Sequence, residues 1–140
     1  MPVYQCVVPA GALTPEQRSG VAETLTSIHC EATGAPPEFV SVIFNELAAD
    51  SAFTAGKPAK TAIVAGNIRA GRAPEVRLQL LERISAAWLE ITGWAKEDLV
   101  VSVADVPASW VMEKGMIMPE PGEEEAWLRR LQEEQEEQES

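Results

Sequence analysis

Thr14-Pro15-Glu16-Gln17-Arg18 and Ala73-Pro74-Glu75-Val76-Arg77 open two similar segments of this chain. In the same register Glu23 meets Glu82, Glu31 meets Glu90, Thr33-Gly34 meets Thr92-Gly93 and Glu38 meets Glu97. Apolar positions keep step as well: Val21 with Leu80, Leu25 with Ile84, Val40 with Leu99, Val42 with Val101. A match held without gaps over that length marks an internal duplication. Two copies are too few for a solenoid, so the chain reads as one pseudo-twofold domain.

Each half reads β-α-β. Val3 to Val8 is apolar and β-branched, a short strand. Thr14 then serves as N-cap, with Pro15 at the first helical position and Glu16 in the first turn. Val21, Ala22, Leu25, Ile28 and Ala32 recur at helical spacing, and Gly34 stops the helix ahead of Pro36-Pro37. Phe39 to Leu47 alternates as the second strand. In the second half the strand is Thr61 to Ile68, the helix Pro74 to Thr92 with Gly93 as stop, and the last strand Leu99 to Val106. Each crossover pairs its strands in parallel and is right-handed. The expected fold is therefore α+β (α/β): duplicated β-α-β units forming a four-stranded mixed sheet with two helices on one face. The opposite sheet face stays apolar, which calls for a second copy to cover it.

The organisation that follows is a single domain over residues 2–122, with repeats 2–47 and 61–106, a loop over 48–60, an arm over 107–122 and an acidic tail over 123–140. A helix is expected around Ala126, Trp127, Leu128 and Leu131, and disorder over the last eight residues. The formal charge is −11, and eight glutamates lie from Glu123 onward, so much of the acidity belongs to the tail. No basic stripe exists to displace counterions from nucleic acid. No apolar run reaches the ~18 residues of a membrane span, and the charged start of a signal peptide is missing. The expected location is cytoplasmic. Cys6 and Cys30 show no metal-ligand spacing and read as reduced core residues; no metal or cofactor is expected.

Four features carry possible chemistry. Pro2 directly follows the initiator methionine, which is generally trimmed before a small residue. It would then present a secondary amine, where an internal proline has no titratable nitrogen. An α-amino group titrates near ~7.7–8.0, and a buried or positively charged setting lowers it further, toward use as a general base or acid. On its own Pro2 is better explained as a residue that permits trimming and starts a strand. Arg69 and Arg72 stand three apart across Gly71 at a strand end, so both forks could converge on one carboxylate. His29 is the single histidine, late in the first helix, and Glu113 lies in the apolar stretch Trp110-Val111-Met112 to Met116-Ile117-Met118. A carboxylate in such surroundings has a raised pKa and can act as acid or base. The four tryptophans Trp88, Trp94, Trp110 and Trp127 read as core or interface residues.

Pro2, the duplication, His29, the Arg69-Ala70-Gly71-Arg72 turn, the Met112-Glu113-Lys114-Gly115 segment and the Met118-Pro119-Glu120-Pro121-Gly122 arm together resemble the tautomerase superfamily. Within it the chain is most similar to cis-3-chloroacrylic acid dehalogenase and its relatives, over roughly residues 2–122. The resemblance implies a homotrimer without cofactor in which Pro2 is the catalytic amine. His29, Arg69 and Arg72 bind and polarise a small carboxylate substrate, and Glu113 activates water together with a tyrosine. At the position implied for that tyrosine this chain has Ser102, a substrate-binding position whose hydroxyl is shorter and far less acidic.

Three functions then compete. In the first, neutral Pro2 moves a proton between oxygen and carbon of a 2-oxo or 2-hydroxy-2-enoic acid, an enol–keto tautomerisation with low-level water chemistry alongside. In the second, prolinium donates a proton while water adds to an unsaturated or cis-3-halogenated acrylate, a hydratase or dehalogenase reaction. Ser102 tilts the balance to the first. The third is a non-catalytic trimeric binding protein.

Overall fold

Along the chain run β1 (Val3–Pro9), α1 (Pro15–Thr33), β2 (Ser41–Leu47), the hairpin strands β3 (Phe53–Thr54) and β4 (Lys57–Pro58), then β5 (Ala62–Arg69), α2 (Pro74–Thr92) and β6 (Leu99–Val106). A second hairpin, β7 (Met112–Glu113) and β8 (Met116–Ile117), leads to α3 (Glu124–Glu139). These bounds come from a computed structural model, which describes residues 1–139. The main sheet has the order β2-β1-β5-β6. Its outer pairs are parallel, as each β-α-β crossover requires, and the two halves meet in an antiparallel β1–β5 ladder.

Local chemistry sets both helices. The Thr14 hydroxyl accepts from the Gln17 N–H while the Gln17 side chain accepts from the Thr14 N–H, a complete capping box ahead of Pro15. Gly34 and Gly93 end the helices at φ of 77° and 71°, the left-handed conformation that glycine adopts without a Cβ clash. The halves even repeat their last turns. Thr33 Oγ1 donates to the His29 carbonyl and Thr92 Oγ1 to the Trp88 carbonyl, each at 2.7 Å.

Alternate residues of each strand point to the helices. Tyr4, Cys6, Val8, Val64 and Ile68 are buried there against Val21, Leu25, Leu80, Ile84 and Trp88. Cys6 sits deep enough that burial pushes its thiol up to about 12. Tyr4 pairs with Gly66 across the β1–β5 ladder, and a Cβ at Gly66 would collide with the Tyr4 ring. Gly66→Ala should therefore cost about 1–3 kcal/mol as overpacking. Chemical denaturation reads this out, and an unchanged midpoint would show that the ring is free to move aside. The other sheet face carries Ile43, Ile63 and Val100, all substantially exposed in the single chain.

The structure corrects the expected boundaries in three places. The second strand begins at Ser41, because Pro37–Phe39 forms one 3₁₀ turn that buries Phe39. The segment 48–60, expected as plain loop, contains the β3–β4 hairpin around Ala55-Gly56. Trp110 is 79% exposed, so of the two roles expected for it, core or interface, only the core is excluded within a single chain. The tail is helical to Glu139 where disorder was expected from residue 133; Ser140 lies outside the described residues. A docked first turn supplies the costly nucleus. Trp127 is buried edge-on against Phe39, and its indole N–H donates to the Ile117 carbonyl at 2.8 Å. The exposed turns beyond add pairs such as Arg130–Glu134.

No helix among the described residues is long and apolar enough to cross a membrane.

Candidate active site

Pro2, immediately before β1, and Tyr4 within it alternate onto one face and are both fully buried, with the Pro2 carbonyl accepting from Ser41 N–H at 3.0 Å. Facing them from the last turn of α1 is His29, 1% exposed. Tyr4 Oη and His29 Nδ1 are 2.8 Å apart, and the rings meet edge-on. In the duplicated register His29 corresponds to Trp88, so one core slot holds an indole in one half and an imidazole in the other. The polar site lies where the pseudo-symmetry is broken.

Burial, then Arg72, Arg69 and the terminal amine, lower His29 to about 3, so the ring is neutral at physiological pH. Burial drives the Tyr4 phenol well above its ordinary value, opposed by Arg72, so it keeps its proton. Unfolded, histidine titrates near ~6.5. Between that value and about 3 the unfolded chain binds a proton that the folded chain refuses. Stability from this source is complete above the upper limit and falls as pH drops through the window, by up to ~1.4 kcal/mol per pH unit. Denaturation midpoints at neutral and mildly acid pH should show the loss, and His29→Gln should flatten it. An unaltered slope in that variant would assign the acid sensitivity to the carboxylates.

The two arginines have different employment. Arg69 is 1% exposed, donates from Nη1 to the Pro119 carbonyl at 2.7 Å and from Nη2 to Glu124 Oε1 at 2.8 Å, and lies 5.2 Å from the Phe39 ring centre. Burial works against the Glu124 charge, but the Arg69 bond and the Gly122 N–H outweigh it and hold the carboxyl below its usual range. Arg72 donates from Nη1 to the Arg69 carbonyl at 2.8 Å, while its Nε and Nη2 are buried with no partner among the described residues. The expected convergence of both forks on an outside carboxylate is thus altered: the chain's own Glu124 occupies Arg69, and Arg72 remains open.

Glu113 on β7 is half-buried and ion-paired to the Met1 amine, with Met1 itself packed among Phe39, Ala108, Met116, Met118 and Trp127. Burial lowers that amine, Glu113 raises it and Arg69 lowers it, with a net downward shift. Ser102 stands apart. It is exposed on β6, paired with Ala65 and on the sheet face opposite Tyr4, so a single chain does not bring it to the cluster. Two members of the cluster are not singled out by sequence reasoning. Tyr4 is the chain's one tyrosine and shares its strand face with Pro2, a signal that could have found it. Glu124 is one glutamate in a run of them, and nothing local marks it.

A family model described as "Tautomerase_3: Putative oxalocrotonate tautomerase enzyme" matches residues 1–132. The chain belongs to this tautomerase family. Among solved structures, native Ps01740 is 46% identical, covering 79% of this chain and 99% of its own, with a TM-score of 0.78. N1, a member of the cis-3-chloroacrylic acid dehalogenase family, is 35% identical over 94% of this chain and 96% of its own, with a TM-score of 0.87. The Q0 fused 4-OT symmetric trimer, 24% identical over 83% of this chain and 94% of its own with a TM-score of 0.76, shares the fold. No curated protein matches the sequence. The resemblance drawn from Pro2, His29, the arginine turn and the Glu113 segment is thus upheld at the level of the tautomerase superfamily, with a relative from the dehalogenase branch.

Proposed function

We propose that the protein is an amino-terminal-proline tautomerase, converting a small 2-hydroxy-2-enoic carboxylate to its 2-oxo form. The observation that carries this reading is the buried cluster at the head of β1. There a terminal amine meets Glu113, in the field of Arg69 and of the neutral His29–Tyr4 pair. The Met1 amine stands in here, one residue upstream, for the Pro2 amine exposed by trimming. Neutral Pro2 takes the enol proton, and the prolinium returns a proton to carbon. Arg72 receives the carboxylate and, with the uncharged Tyr4–His29 pair, stabilises charge on the enolate oxygen. No metal is required for these steps. The open sheet face of Ile43, Ile63 and Val100 is covered by further copies in a homotrimer.

Glu113 favours a second reading, hydration or dehalogenation of an unsaturated acid. A carboxylate on the amine stabilises its proton, and prolinium is the donor that water addition needs. The two readings demand opposite dominant states of Pro2. A pH–rate profile of kcat/KM on phenylenolpyruvate, 2-hydroxymuconate and cis-3-chloroacrylate distinguishes them. Activity rising with amine deprotonation supports tautomerisation; activity lost on deprotonation supports hydration. A mature chain that keeps Met1, or whose N-terminus 3-bromopropiolate fails to label, would leave a trimeric binding protein as the better account.

A further inference from the structure

Met1 is buried apart from the main core. It is 5% exposed, in a second cluster with Phe39, Ala108, Met116, Met118 and Trp127. Four of those residues, Ala108, Met116, Met118 and Trp127, come from the C-terminal arm and α3, which the β-α-β halves do not need for their own core. A cavity of about 250 Å³ shares Phe39, Trp127 and Leu128 with this cluster and Glu113 with the Met1 amine. Trimming Met1 therefore empties a narrow apolar slot at the nitrogen that becomes the Pro2 amine.

Charge restricts what can enter. Arg69 is committed to Glu124, whereas Arg72 keeps two buried N–H donors without a partner among the described residues. The site thus holds one free anion receptor, and the cavity beyond carries Glu38 and Glu113 against the single cation Lys114. A second carboxylate on the substrate would have to lie among thioethers and an indole, which costs several kcal/mol without a partner.

We infer that the slot occupied by Met1 is the substrate's tail pocket, and that the substrate is a monocarboxylate whose far end is an unbranched apolar chain about the length of a methionine side chain. This rests on the reading of Pro2 as the mature terminus. The carboxylate meets Arg72, the reacting carbons lie beside Pro2, and the tail takes the place of the Met1 side chain against Phe39, Ala108, Met116, Met118 and Trp127.

Two measurements on the protein beginning at Pro2 test this separately from catalysis. Calorimetric titration with saturated carboxylates from acetate to octanoate should show affinity rising about fourfold per methylene, equivalent to ~0.8 kcal/mol each, until the slot is full. Affinity independent of chain length, or tighter binding of an α,ω-dicarboxylate than of the matching monoacid, overturns the inference whatever the turnover. In the second measurement, kcat/KM for alkyl-tailed 2-hydroxy-2-enoates is compared with that for 2-hydroxymuconate. The alkyl series should lead, and Ala108→Leu should lower the ratio of long-tailed to methyl-tailed substrate at least about tenfold. A ratio unmoved in the folded variant counts against the slot. Chain-length-dependent binding without turnover or N-terminal labelling would keep the pocket and overturn the catalytic reading. The titration needs no substitution, so it decides even where Ala108→Leu does not fold.

Discussion

On the proposed mechanism, replacing Pro2 by leucine should lower enol–keto turnover by about 10²–10⁴-fold, the contribution of a positioned general base. A large second residue keeps Met1 in place. The amine then stays one residue upstream on Glu113, and the Met1 side chain still fills the apolar cluster, so the base is displaced and the pocket is blocked together. Pro2→Ala is milder, because Met1 is still trimmed and a primary amine remains. Without the ring that amine turns freely about N–Cα, and a misplacement on the order of an ångström costs about 10²-fold. Steady-state kinetics on phenylenolpyruvate, with intact mass recorded for each variant, reads both effects. Full turnover by a chain that retains Met1 would remove the amine from the mechanism.

On the same proposal, Arg72→Ala should lower kcat/KM by about 10²–10³-fold and leave folding stability unchanged or slightly raised. Two of its N–H donors are already buried unpartnered, and each such group costs about 1–3 kcal/mol that truncation relieves. The loss on the catalytic side is that of a donor aimed at charge developing on the substrate. Arg69→Ala is expected to behave differently. It strands the largely buried Glu124 and releases the Pro119 carbonyl, so it lowers stability by about 3 kcal/mol. It also loosens α3, since Glu124 lies in that helix's first turn. Thermal melts beside kinetics separate the two arginines. Equal losses of stability would mean that Arg72, too, is structural.

Much of the fold is legible in the residues alone. The repeat sets the element order, and the Thr14 cap, Pro74, Gly34 and Gly93 mark helix ends through interactions confined to a few neighbouring residues. Strand alternation likewise assigns Tyr4, Cys6 and Val8 to one face. Pro2, His29, Glu113 and the arginine turn are visible as residue types at recognisable places, and the family match bears out the resemblance they carry.

What the sequence determined by itself was the duplicated β-α-β frame and the family, because both are written in local signals and in a register that repeats. Only the tertiary structure decided how the site's charges are partitioned. The Arg69–Glu124 pair joins residues 55 apart, Tyr4 and His29 are 25 apart, and Met1 meets Glu113 across 112 positions. No propensity or spacing links such residues, since their contact arises from sheet order and from the docking of α3 on Phe39. The same glutamate run that reads as a solvated tail thereby supplies the carboxylate that occupies one arginine and leaves the other free.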